Sequence, residues 1–138
     1  MVCRANQPAV TTRMRARKKT TVGIWKVIGS PGFPFDEAWI RHIAGVCFDR
    51  GFHPAGVTRQ LCAILASGDR TPRLGSVRTP TLVIHGDADP LVRVEAGHAT
   101  AAAIPGAEML VVKGMGHDLP RGAWSEMTAA IARHATRA

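Results

Sequence analysis

Apolar residues recur along this chain with two different periods, and the change falls at Pro80. Before it the spacing is helical. Val22, Trp25 and Val27 or Ile28 mark one side of a basic helix over residues 13–28, after a first dozen residues that show no period. Gly29-Ser30-Pro31-Gly32-Phe33-Pro34-Phe35 is too rich in glycine and proline to be anything but a loop. Asp36 then offers an N-cap for a helix to about Arg50, with Trp39, Ile43 and Val46 or Cys47 on one face. Gly51 to His53 turn the chain. Pro54 suits a first helical turn, where its missing N–H costs nothing. Val57, Leu61, Ile64 and Leu65 give the next apolar face, and Gly68 ends it. Residues 69–80 form a polar connector with apolar pegs at Leu74 and Val77.

After Pro80 the pattern becomes short β-branched runs. Thr81-Leu82-Val83-Ile84-His85 and Met109-Leu110-Val111-Val112-Lys113 lack polar alternation, as expected of parallel strands buried on both faces. Between them an Ala-rich helix over 93–104 stops before Pro105-Gly106. Trp124, Met127, Ile131 and His134 or Ala135 mark a final amphipathic helix. The C-terminal half therefore reads as β-α-β-α, one right-handed crossover with a covering helix, in an α/β fold. Two parallel strands do not make a domain, because both faces and both edges need partners. The expected object is part of a larger sheet protein, with apolar surface left uncovered.

With 138 residues, 46% of them hydrophobic, there is material for one packed domain. No apolar run approaches the roughly 20 residues needed to span a bilayer, and no h-region marks a signal peptide. Three cysteines, Cys3, Cys47 and Cys62, have no metal-type spacing and read as reduced thiols of a cytoplasmic protein. The net charge of +8 is concentrated in residues 1–22, which carry +6 and no acid, leaving +2 for the rest. This basic leader is expected to hold little order. It lacks interleaved aromatic residues that would stack on bases, so neither nucleic acid nor membrane is expected as a partner.

Two strand-end segments carry the chemistry. Asp89 follows Gly86-Asp87-Ala88 just past the first strand, and His117 follows Gly114-Met115-Gly116 just past the second. Open α/β sheets place functional groups at the carboxyl ends of their strands. A carboxylate there can hold an imidazole Nδ1–H, fixing the tautomer and stabilising the imidazolium. The gap of 28 residues suits one β-α-β crossover that sets the two side by side. Taken singly, Asp89 before Pro90 also suits a turn or helix cap, and a histidine after a strand also suits packing.

Gly86-Asp87-Ala88-Asp89 followed by Gly-x-Gly-His resembles the C-terminal half of the α/β-hydrolase superfamily, closest to its esterase branch, which includes the anthracycline methylesterases. Residues 29–36 and 50–56, with Arg59-Gln60, resemble the helical cap of that branch. The resemblance runs from about residue 25 to residue 135. It implies a partial α/β-hydrolase fold: a helical cap segment over 23–73 behind the 1–22 leader, then the last two parallel strands and their helices over 74–138. It implies Asp89 as the acid and His117 as the general base of a Ser-His-Asp triad, with no cofactor and no metal. Asp87 would support the turn, and Asp118 has no assigned role. Leu91, Val92, Met115 and Leu119 would line the site. Phe33, Phe35, Trp39 and Phe52 would either wall a substrate pocket or pack as ordinary core.

The resemblance also implies a serine in Gly-x-Ser-x-Gly on a strand-to-helix elbow. None of the four serines (Ser30, Ser67, Ser76 and Ser125) fits that pattern, and Cys47 lies inside an expected helix. Ester hydrolysis by these 138 residues alone is therefore expected to be negligible. An N-terminal α/β-hydrolase half, or a second copy of the chain, is the expected partner, and a small-molecule ester the expected substrate of the completed site. Two other readings stand beside this one: a non-catalytic interaction module acting through the basic leader, and a remnant of a dehalogenase-type hydrolase whose nucleophile is an aspartate.

Overall fold

The computed structural model describes residues 7–51 and 53–137. They gather into two compact units. One comprises the described part of Met1–Val27 with Asp36–Gln60, and the other Ile28–Phe35 with the described part of Leu61–Ala138.

In the first unit, helix α1 spans Gln7–Ile28 and helix α2 spans Glu37–Arg50. α1 begins six residues before the expected position 13. Residues 7–12, read from sequence as loose, are helical. Pro8 suits a first helical turn, where its missing N–H costs nothing, and residues 7–12 carry no apolar stripe for periodicity to register. Within the stripe that was legible, Val22 is buried and Trp25 half-buried, whereas Val27 is 75% exposed. α2 starts where expected, because the Asp36 carboxylate accepts the Trp39 N–H at 2.8 Å. Its buried residues are Ala44 and Gly45, not the larger Trp39 and Ile43. The Lys18 side chain passes close to Gly45, where a Cβ would stand 3.0 Å from Lys18 Cε. Lys26 and Arg41 both pair with Glu37 and, together with their hydrogen bonds, hold its carboxyl below the usual range.

Helix α3, Pro54–Ala66, crosses the division between the units. Its apolar face lies open: Val57, Leu61, Ile64 and Leu65 are all more than half exposed. The connector after it contains a short helix, α4, over Thr71–Leu74, opened by the Asp69 carboxylate accepting the Thr71 N–H. One turn is too short for a periodic pattern to announce.

The second unit carries the sheet. Strand β1, Leu82–Gly86, runs parallel to strand β2, Glu108–Val112, in the register Leu82↔Glu108 to Gly86↔Val112. Helix α5, Val94–Ala103, makes the crossover between them. Helix α6, Trp124–Ala135, follows a single 3-10 turn at Arg121–Ala123 and packs against β1. Val112, Met115, Ala123 and Met127 form the buried centre, with Phe33, Ile84 and Leu110 packed around it. The expected burial of the strands on both faces does not hold: Leu82 to His85 are half-buried and Val111 is 36% exposed. A pair of strands covered by α5 and α6 has too few neighbours to shut water from both faces. No helix among the described residues is long and apolar enough to cross a membrane.

Candidate active site

Both strands of the parallel pair end at the same level, Gly86 opposite Val112, and the two chemical groups leave from that end. The turn after β1 is built by Asp89 itself. Its Oδ1 accepts the N–H groups of Leu91 at 2.8 Å and Val92 at 3.0 Å. Its Oδ2 lies 2.8 Å from Nδ1 of His117. The turn-forming and pairing roles, which sequence alone left as alternatives, are thus divided between two oxygens of one carboxylate.

Burial works to raise the Asp89 carboxyl, since only 6% of its side chain is exposed. The Val92 N–H, the His117 ring and the Leu91 N–H outweigh that effect and hold it below its ordinary value of 3.8. The carboxylate is therefore ionised at neutral pH and can only accept a hydrogen bond. It follows that His117 Nδ1 carries the proton, which leaves Nε2 of the neutral ring with a free lone pair. The His117 side chain is 37% exposed, so the acid is sheltered while the ring is open.

Other residues fix the two loops. Asp87, expected to support the turn, does so across the strands: its Oδ1 accepts the Gly114 N–H at 2.6 Å, and its own N–H reaches the Val112 carbonyl at 3.3 Å. Gly86 lies under the Met115 peptide, where a Cβ would stand 2.0 Å from the Met115 carbonyl oxygen. His85, outside the pair, donates from Nε2 to the Val92 carbonyl at 2.8 Å and lies 3.9 Å from Asp89 Oδ2. Val92 is thereby tied at both ends of its peptide links.

Of the expected lining residues, Leu91, Val92 and Leu119 are exposed beside the pair, whereas Met115 is 4% exposed and belongs to the core. Phe33 packs on that core, while Phe35 and Trp39 are exposed. Phe52 lies outside the described residues. Ser30 is the participant that the sequence did not reveal. Its hydroxyl donates to Asp118 Oδ1 and accepts the Gly116 N–H at 2.8 Å. Nothing in periodicity or motif signals a bond spanning 86 residues.

Strand-end acid, glycine-rich histidine loop and parallel crossover are arranged as in an α/β-hydrolase fold. A family described as TAP-like protein matches residues 51–133, and the chain belongs to this family of α/β-hydrolases. Rhodomycin D methylesterase DnrP of Streptomyces peucetius is 29% identical over 139 residues. That alignment takes in 100% of this chain but 45% of the methylesterase, so the chain spans less than half the length of this curated relative. Among solved structures, a serine hydrolase involved in carbazole degradation (the CarC enzyme) superposes with a TM-score of 0.61 at 17% identity, covering 88% of this chain and 48% of that one. An enzyme that degrades N-acyl homoserine lactones superposes with a TM-score of 0.55 at 22% identity, covering 91% and 51%. At such identities these two structures bear on the fold alone.

Proposed function

We propose that this chain contributes the acid and the base of a Ser-His-Asp carboxylic ester hydrolase, the serine coming from polypeptide outside these 138 residues. The observation that carries the reading is the 2.8 Å contact between His117 Nδ1 and a sheltered Asp89 carboxylate at the ends of adjacent parallel strands. In the completed site the serine hydroxyl attacks the ester carbonyl, and its proton passes to His117 Nε2. Asp89 keeps the ring in the Nδ1–H tautomer and stabilises the imidazolium. The ester C–O bond then breaks, and the imidazolium gives its proton to the departing alcohol. Water, deprotonated by the same nitrogen, releases the acid and the serine. The partner supplying the nucleophile is an N-terminal α/β-hydrolase half. The methylesterase likeness makes a small methyl ester the substrate class to try first.

The test is co-expression with an N-terminal α/β-hydrolase segment carrying a Gly-x-Ser-x-Gly elbow, assayed on p-nitrophenyl and methyl esters. Hydrolysis is expected from the pair of chains and not from this chain alone. It is expected to fall by about 10³-fold or more in His117→Ala. Turnover that survives His117→Ala overturns the assignment.

A further inference from the structure

Beyond the Asp89 contact to its ring, the His117 loop is held on both sides of that residue by one short segment, residues 28–32. The N–H of Gly116 goes to Ser30 Oγ at 2.8 Å, and the N–H of His117 to the Ile28 carbonyl at 2.7 Å. The carboxylate of Asp118 accepts a hydrogen bond from the Ser30 hydroxyl. Two residues further out, the Gly32 N–H goes to the Gly114 carbonyl at 2.9 Å. Gly116 is buried, and a Cβ there would stand 2.3 Å from the Gly29 carbonyl oxygen, so the two segments lie in contact along their backbones.

Resting on the reading of His117 as general base, we infer that Ser30 is a positioning residue for it, acting through Gly116 and Asp118. The hydroxyl donates to Asp118 and not to the His117 ring, so it is not placed as the nucleophile that His117 would deprotonate. Its use lies in having both a donor and an acceptor on one atom. As acceptor it satisfies the buried N–H just before His117, and as donor it fixes the side chain just after. Alanine at position 30 would orphan that N–H and release Asp118 together, freeing the loop to rotate the imidazole away from Asp89.

The test reads the ring in the full chain labelled with ¹⁵N, where two-bond couplings report which imidazole nitrogen bears the proton. In the unaltered protein His117 is expected as the Nδ1–H tautomer. Ser30→Ala is expected to give a mixture of tautomers and about tenfold faster amide exchange at Gly116 and His117. Ser30→Thr, which keeps the hydroxyl, is expected to restore both. An unchanged tautomer in Ser30→Ala overturns the inference. So does faster exchange spread evenly over β2 and α6, which would make Ser30 a general scaffold residue. Asp89→Asn is the separate arm. If it leaves the His117 tautomer unchanged, the acid–base pair falls and the role of Ser30 falls with it. If Asp89→Asn shifts the tautomer and Ser30→Ala does not, only the role of Ser30 is lost.

Discussion

Replacing Gly86 by alanine tests the contact that brings the two strand-end loops together. The new methyl group would stand 2.0 Å from the Met115 carbonyl oxygen, 2.5 Å from its carbon and 3.0 Å from the Gly116 oxygen. Ordinary contact between such atoms begins near 3.4 Å, so the 115–116 peptide must retreat by roughly 1.4 Å. All three obstructing atoms are backbone, and Met115 is anchored in the core at 4% exposure, so no flexible side chain can absorb the clash. Overpacking of this kind costs about 1–3 kcal/mol. Retreat also breaks the bond from the Ala88 N–H to the Met115 carbonyl, now 3.0 Å, which is worth about 1 kcal/mol. A total destabilisation of about 2–4 kcal/mol is expected. Urea denaturation followed by tryptophan fluorescence would show it as a midpoint lowered by about 1–2 M, with the slope unchanged. In the completed hydrolase the same displacement would misplace His117 and lower turnover by about 10²-fold. A Gly86→Ala midpoint within about 0.3 M of the unaltered chain would refute the close approach.

Gly23, exposed within α1 with nothing within 4 Å of its missing Cβ, sets the opposite expectation: Gly23→Ala should raise stability by about 0.5–1 kcal/mol, read as a higher urea midpoint. Acid supplies another test, because the Asp89 carboxyl titrates below its ordinary value of 3.8 in the folded chain. A depressed carboxyl contributes stability that is complete above the unfolded value and is lost as pH falls through the folded one. The gap in Tm between the unaltered chain and Asp89→Asn should therefore be constant above about pH 5 and narrow below pH 4. A gap that narrows between pH 6 and 8 instead would contradict that assignment.

The parts of the molecule that were legible in the sequence are those whose cause is local. Asp36 caps α2 through a neighbour three residues away, and the β-branched runs announce β1 and β2 without help from the rest of the chain. Asp89 and His117 were legible because each sits at a fixed offset from an apolar run and a glycine. What escaped were features whose cause is distant or weakly patterned. The first turns of α1 carry no apolar stripe that a periodic pattern could register. The buried face of α2 uses Ala44 and Gly45, small residues that the spacing of large apolar side chains does not mark. Ser30 reaches its partners across 86 and 88 residues, and no spacing rule predicts that.

Asp89, His117, Ser30 and Asp87 all lie within the second of the two compact units. The loss of freedom needed to aim the His117 ring is therefore met when that unit folds, and not when a nucleophile arrives. Under the proposed function, a supplier of the serine and of the oxyanion donors finds the imidazole already aimed. For such a pair of chains one part of the entropic barrier would be met in advance, leaving more of the binding energy at their junction for the transition state.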